Sequence, residues 1–141
     1  MQTRYTPLVK LKKSTMDKSE NAVSKANADL NSASMALETS YNSLDSIELP
    51  STGTMAELSA SRTLLGSQRG IIQHNKEWLE FAKKQVESAK EQLKLDMIEF
   101  EKFKYLESQE IKKVLKEKKI QESKDLDEIA LMTFSNNQRK V

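Results

Sequence analysis

The stretch Pro50-Ser51-Thr52-Gly53-Thr54-Met55-Ala56-Glu57 decides the fold, because it is the only cluster of helix breakers between two long runs of helix-compatible sequence. Pro and Gly interrupt helices, and Thr54 with Glu57 three residues later has the spacing of a capping box, which opens a new helix. Thr6-Pro7 gives a similar opening for the first run. The predicted elements are helix one at about 7–48, a turn at about 49–54, helix two at about 55–134 and a polar tail at 135–141.

The composition excludes most enzyme classes. The 141 residues include only three Gly and two Pro, too few for turn-rich β folds or for glycine loops that hold phosphates. There is no Cys and one His, so the chain lacks a thiol nucleophile and an imidazole or thiolate metal cluster. We therefore predict a protein that is not an enzyme and that has no catalytic residue, cofactor or metal.

Charge and hydropathy place further limits on partners. The formal net charge is +2, which gives no field typical of nucleic-acid binding. No run approaches the roughly 18 apolar residues of a membrane span, and the first 13 residues lack the apolar core of a secretory signal. The sequence thus predicts a cytoplasmic protein without a nucleic-acid partner and without membrane insertion.

Apolar residues recur every seven positions in both runs, as a coiled-coil seam requires. The positions three further on in the first run are mostly small, which would let a partner helix approach closely. In the second run the series fails at Glu107. The two series are Val9, Met16, Val23, Leu30, Leu37 and Leu44 in helix one, and Leu58, Leu65, Ile72, Leu79, Val86, Leu93 and Phe100 in helix two.

These patterns predict an all-α fold in which two long helices form an antiparallel coiled-coil hairpin, as a single elongated domain over residues 1–141. A reversal between Glu48 and Met55 would give partners whose numbers sum to about 103, so that Leu8 lies opposite about Leu95. Helix two would then overhang helix one by about 35 residues. Because an isolated helix cannot bury its apolar residues against itself, we expect an outside partner to cover the overhang.

Several side chains allow two interpretations. The run 112–119, with five Lys and one Glu, could contact an acidic partner or an anionic membrane surface, or could be a solvated face paired with nearby Glu residues. Trp78 and Phe81 could belong to a recognition surface, or could simply widen the apolar seam beside Leu79. Tyr41 could contact a partner or pack at the rim, and His74 is expected to be solvated.

Three segments together resemble the FliJ family of flagellar type III export proteins. They are Arg4-Tyr5-Thr6-Pro7-Leu8-Val9-Lys10-Leu11-Lys12-Lys13, the heptad hairpin, and Glu122-Ser123-Lys124-Asp125-Leu126-Asp127-Glu128-Ile129-Ala130. Residues 62–69 and 78–83 are similar to versions from the epsilon group of flagellated bacteria. The resemblance implies a non-enzymatic stalk, similar in shape to the paired helices of the gamma subunit of rotary ATP synthases, on the cytoplasmic side of the inner membrane at the flagellar base.

The resemblance further implies a set of partners. Family members insert into the hexameric export ATPase and promote its assembly and turnover, and they contact the export-gate membrane protein and export chaperones. By position, the implied ATPase contacts are Lys10, Lys13, Lys112, Lys113, Lys116, Asp125, Leu126, Glu128 and Ile129. The implied export-gate contacts are Leu37, Tyr41, Leu58, Arg62, Leu65 and Arg69.

Two other classes of protein fit the same residues. A generic coiled-coil scaffold or tether would dimerise through the overhang and ignore any ATPase. The equivalent stalk of a virulence-type secretion system would share the hairpin and differ in its cognate ATPase.

Overall fold

The computed structural model describes residues 2–139 and contains two long helices, α1 at Thr6–Asp45 and α2 at Met55–Arg139. The two helices pack against each other, and residues 2–139 include no β-strand. This confirms the predicted all-α fold of two long helices in a hairpin. Residues 140 and 141 of the predicted polar tail lie outside the described residues, whereas residues 135–139 continue α2. That the whole chain is a single domain stays a prediction.

Hydroxyl groups begin both helices. At the start of α1, the backbone N–H of Thr3 donates to Thr6 Oγ1 at 2.9 Å, and the backbone N–H of Tyr5 donates to Thr3 Oγ1 at 3.2 Å. At the start of α2, the backbone N–H of Glu57 donates to Thr54 Oγ1 at 3.2 Å, which is the N-cap bond that the capping box predicts. Each cap satisfies backbone groups that the first helical turn leaves unpaired.

Helix α1 ends at Asp45, one turn before the predicted end near Glu48. The backbone N–H of Ile47 donates to the carbonyl of Leu44 at 3.1 Å, so the chain tightens into a three-residue turn there. Pro50 also disfavours a helical conformation at Leu49. The connection to α2 is therefore longer than the predicted turn and spans residues 46–54.

Residues 15–97 form one compact unit, the hairpin proper. Its best buried positions in α1 are the small residues of the heptad, which confirms that they allow the helices to approach closely. The large apolar residues of the helix-one series are only half-buried and flank this line. The buried residues are Ser19, Ala26, Ala33 and Ser40 in α1, and Ile72, Asn75, Ala82 and Val86 in α2.

The predicted register within this unit is wrong. Asn75 contacts Ser40, and Asp96 contacts Ser19, so the partner of each α1 residue lies about three helical turns further along α2 than predicted. The reason is the connection: Pro50 and Leu58 line one groove, so residues 46–54 run beside the first turns of α2. A nine-residue connection can span roughly 30 Å, more than this offset requires.

Residues 2–14 and 98–139 form the second compact unit. Lys12 Nζ lies 3.7 Å from a carboxylate oxygen of Glu99 and 5.5 Å from the ring centroid of Phe103. Arg4 reaches Glu110 at 4.0 Å. The prediction that Leu8 lies opposite about Leu95 is therefore wrong. Its position on α2 is shifted toward the C-terminus by about three turns, as in the hairpin.

The rest of α2 in this unit has no covering element among the described residues. We call residues 111–139 the C-terminal segment. Ile111 and Val114 are half-buried, and every residue from 115 to 138 is exposed. The structure thus agrees with the expectation of an unpaired apolar overhang, which begins near Glu110.

Candidate functional site

The C-terminal segment exposes large apolar side chains along α2. A helix in water normally buries such residues against a neighbour, and a set this large marks an interaction surface. Leu126 is 67% exposed and Ile129 is 59% exposed. The exposed large apolar residues are Leu115, Ile120, Leu126, Ile129, Leu131, Met132 and Phe134.

The lysines of the C-terminal segment are also exposed. The sequence left open whether they pair with nearby Glu residues. Within residues 2–138, none of the five lysines between 112 and 119 forms an ion pair, and Glu110 contacts Arg4 instead. The lysine charges are therefore available to a partner of opposite charge.

The sequence-predicted ATPase residues all lie in one compact unit. Lys10 and Lys13 flank Lys12, which contacts Glu99 and Phe103, so they lie roughly 15 Å along α2 from Lys112. Asp125 lies about 20 Å beyond Lys112 in the other direction. All nine residues are exposed. Those on α2 point in several directions around the helix and do not form a single patch.

The sequence-predicted gate residues lie in the hairpin unit but not at one place. Lys76 Nζ lies 5.8 Å from the ring centroid of Tyr41, and Tyr41 is 41% exposed. Leu58 precedes Lys76 by about 27 Å along α2, so Tyr41 and Leu58 do not share a patch. Leu37, Leu58 and Leu65 are half-buried on the seam.

Two edges flank the seam of the hairpin. Arg62, Arg69 and Lys76 recur every seven residues on α2 and lie on the same side as Tyr41; we call these four residues the basic edge. A second set lies on the other side of the seam and we call it the aromatic edge. The aromatic edge comprises Leu64, Ile71, His74, Trp78 and Phe81.

Trp78 and Phe81, for which the sequence allows two interpretations, lie at the surface of the aromatic edge. They line a shallow surface groove with His74 and Glu77, where Phe81 is 61% exposed and Trp78 is 38% exposed. His74 is solvated, as expected. The signal that could have found this edge is the seven-residue spacing of Leu64, Ile71 and Trp78, one position before the seam.

Metal-binding clusters and membrane-spanning stretches are both absent from the part of the chain that the structure describes. In residues 2–138, no group of three acidic or histidine side chains is arranged to hold a metal ion. Neither helix, within the described range, has a stretch long and apolar enough to cross a membrane.

Comparison with known proteins gives a family for nearly the whole chain. A family profile described as "Flagellar FliJ protein" matches residues 1–139. No curated protein and no solved structure matches the chain. The match covers both compact units and the connection between the helices.

Proposed function

Because the chain belongs to the FliJ family and is thus a component of the flagellar export apparatus, we propose that it is the stalk of that apparatus. In this proposal the chain is non-enzymatic, inserts into the hexameric export ATPase, and promotes its assembly and turnover. It also contacts the export-gate membrane protein and export chaperones. Its place is the cytoplasmic side of the inner membrane, at the flagellar base.

The observation that carries the proposal is the exposure of residues 115–138. Seven large apolar side chains lie within these residues. A helix with exposed apolar and basic side chains suits a protein ring that surrounds it, because a ring can cover several faces of one helix. Apolar residues lie on more than one side, since Ile120 and Leu131 are roughly opposite Ile129 on the helix. A single flat partner would leave one of these sides in water.

The ATPase contacts that we propose are the exposed lysines and the acidic and apolar residues that follow them. Lysines near an acidic ring lining would favour association through electrostatic attraction, and this attraction weakens as salt rises. The apolar residues Leu126 and Ile129 would supply the buried part of the contact. The proposed set is Lys10, Lys13, Lys112, Lys113, Lys116, Asp125, Leu126, Glu128 and Ile129.

The gate contacts that we propose lie in the hairpin unit. Tyr41, Arg62 and Arg69 belong to the basic edge, which is exposed and well separated in sequence from the C-terminal segment. An exposed ring beside basic side chains suits an acidic or mixed partner surface. Leu37, Leu58 and Leu65 would support this edge from the seam. The gate and the ATPase would then bind different residues of the chain.

The ATPase part of the proposal is tested by ATP turnover and oligomer size of the cognate export ATPase with the full chain. Lys10→Glu, Lys13→Glu and Lys116→Glu in one chain should abolish stimulation of turnover and ring assembly. The matched control reverses three exposed lysines of the hairpin unit, Lys18, Lys90 and Lys94, and should stimulate as the unchanged chain does. Equal stimulation by both triple variants would refute the proposed contact.

The gate part is tested by binding of the full chain to the cytoplasmic part of the export-gate protein. Tyr41→Ala should weaken this binding while helicity by circular dichroism stays unchanged, because Tyr41 is partly exposed and is not one of the buried residues of the seam. Trp78→Ala, on the aromatic edge, is the matched control and should bind normally. Loss of binding in the control alone would move the gate contact to the aromatic edge.

A further inference from the structure

The charges of the C-terminal segment divide into two blocks of opposite sign. Residues 112–119 contain five Lys and one Glu, and residues 122–128 contain four acidic residues and one Lys. The boundary lies at Ile120 and Gln121. A segment with this pattern is complementary to a second copy of itself that runs in the opposite direction, because each basic block then lies alongside an acidic block.

One side of the helix carries a row of residues that is also complementary to a second, reversed copy of itself. Six positions spaced by three or four residues share one side of α2 and form a potential seam. From the N-terminal end they are apolar, apolar, basic, acidic, apolar and apolar. Read in the opposite direction, the row has the same order of apolar and charged positions, with the basic and the acidic position exchanged. These positions are Ile111, Leu115, Lys118, Glu122, Leu126 and Ile129.

We propose that two copies of this chain pair through their C-terminal segments as an antiparallel coiled coil with its two-fold axis near Ile120. Leu115 of each copy packs against Leu126 of the other, and Ile111 packs against Ile129. Lys118 of each copy pairs with Glu122 of the other at the centre. Leu115 is 50% exposed, Leu126 67% and Ile129 59%, so this pairing covers surface that is open in the single chain.

The direction of pairing follows from the two central charges. In a parallel pair, Lys118 would face Lys118 and Glu122 would face Glu122 within the seam, and like charges at seam positions destabilise a coiled coil. The antiparallel pair replaces both repulsions with attractions. Its seam spans about 28 Å of helix, from Ile111 to Ile129.

The pairing requires no other protein and therefore goes beyond the proposed function. Leu126 and Ile129 serve both the pair and the proposed ATPase contact, so one copy cannot make both contacts with these side chains. In free chains, the self-paired form covers the apolar residues of this seam, Ile111, Leu115, Leu126 and Ile129. The test below uses purified chain alone, so its result does not depend on the ATPase proposal.

The experiment is sedimentation equilibrium of the full chain from about 10 µM to about 1 mM. The average mass should rise with concentration from 16.1 kDa toward twice that value. Lys118→Glu or Glu122→Lys alone should weaken dimerisation roughly tenfold or more, since each creates repulsion at the seam. An equimolar mixture of these two variants should form heterodimers, because all central pairs are again opposite in charge.

Two controls keep the test specific. Helicity by circular dichroism should be the same in all variants, since Lys118 and Glu122 are exposed. The charge reversals Lys90→Glu and Lys94→Glu, in the hairpin unit, should leave the dimer unchanged. A mass of 16.1 kDa at every concentration, or a dimer that is insensitive to Lys118→Glu, overturns the proposal.

Cysteine cross-linking tests the direction of the pair, because the chain has no Cys of its own. In the antiparallel pair, Leu115→Cys combined with Leu126→Cys should give a disulfide-linked dimer under mild oxidation. Leu115→Cys alone should not, because its two copies lie about 16 Å apart along the seam. Efficient cross-linking of the single variant would indicate a parallel pair and overturn the proposal.

Discussion

Asn75 Nδ2 donates a hydrogen bond to Ser40 Oγ inside the seam of the hairpin, where both side chains are buried. Around this pair, Asn75 also donates to the carbonyl of Ala36 at 3.3 Å, and Gln68 Nε2 donates to the carbonyl of Ser40 at 2.9 Å. A shift of one helix along the other would break these interhelical bonds and leave the buried amide of Asn75 without its partners, although Ser40 Oγ would keep its bond to the carbonyl of Ala36 in its own helix. The polar layer therefore fixes the register of α1 against α2.

Asn75→Ala should lower the free energy of unfolding by about 1–3 kcal/mol, because it leaves the buried Ser40 hydroxyl without this partner. Urea unfolding followed by circular dichroism measures the change. The control is Gln73→Ala on an exposed face of the same helix, with a change below about 0.5 kcal/mol. Equal effects of the two substitutions would show that the polar layer does not stabilise the hairpin.

Ala33 has no exposed surface, so its methyl group is completely covered within the seam. Ala33→Leu should destabilise the hairpin by about 1–3 kcal/mol, because a larger side chain forces the helices apart. Ala28→Leu is the matched control, since Ala28 is exposed on the same helix. Thermal unfolding of both variants checks the prediction, and a neutral Ala33→Leu would contradict the close packing.

Glu107 takes a seam position in the second compact unit, and its Oε2 is buried without a hydrogen-bond partner among the described residues. Glu107→Leu should raise the free energy of unfolding by about 1 kcal/mol, because it removes a poorly solvated polar atom and extends the apolar seam. Glu101→Leu, at an exposed position, should have little effect. An unchanged or lower melting temperature for Glu107→Leu would refute the placement of Glu107 in the seam.

Gly66 and Gly53 should respond in opposite directions to substitution by Ala. Gly66 lies within α2 with open space around it, so Gly66→Ala should stabilise by about 0.5–1 kcal/mol through higher helix propensity. Gly53 has a φ of 146°, and an added Cβ would collide with the carboxylate of Glu57. Gly53→Ala should therefore destabilise by at least about 1 kcal/mol. Stabilisation by both substitutions would contradict the geometry of the connection.

The seam of the hairpin could be predicted because coiled coils bury residues at fixed heptad positions. Val86 and Ile72 are buried where the series puts them, and Ala26 and Ala33 are buried at the small positions. The register could not be predicted from the breakers alone, since Pro50 and Gly53 locate a connection but do not give its path. Polar residues at seam positions of both helices could have indicated the register, because Ser19 bonds to Asp96 and Ser40 bonds to Asn75. Counting heptads alone does not use this signal.

The candidate surfaces were predicted in part. The apolar C-terminal segment followed from the unequal lengths of the two helices, and the structure leaves residues 115–138 exposed. The exposure of Trp78 and Phe81 did not follow, because residues beside a seam can either widen it or face water. The two outcomes depend on the bulk of the opposing helix. Here the small α1 residues Ala22 and Ala26 line a second groove together with Phe81.

Site-specific photocross-linking tests the stalk proposal most directly. A photoreactive residue is placed at Ile129 of the full chain, or at Ala28 as an exposed control in the hairpin unit, and each chain is irradiated with the assembled export ATPase. The proposal predicts a covalent adduct with the ATPase from position 129, at one chain per hexamer, and none from position 28. Absence of an adduct from position 129, or equal adducts from both positions, would contradict the insertion of the C-terminal segment into the ring.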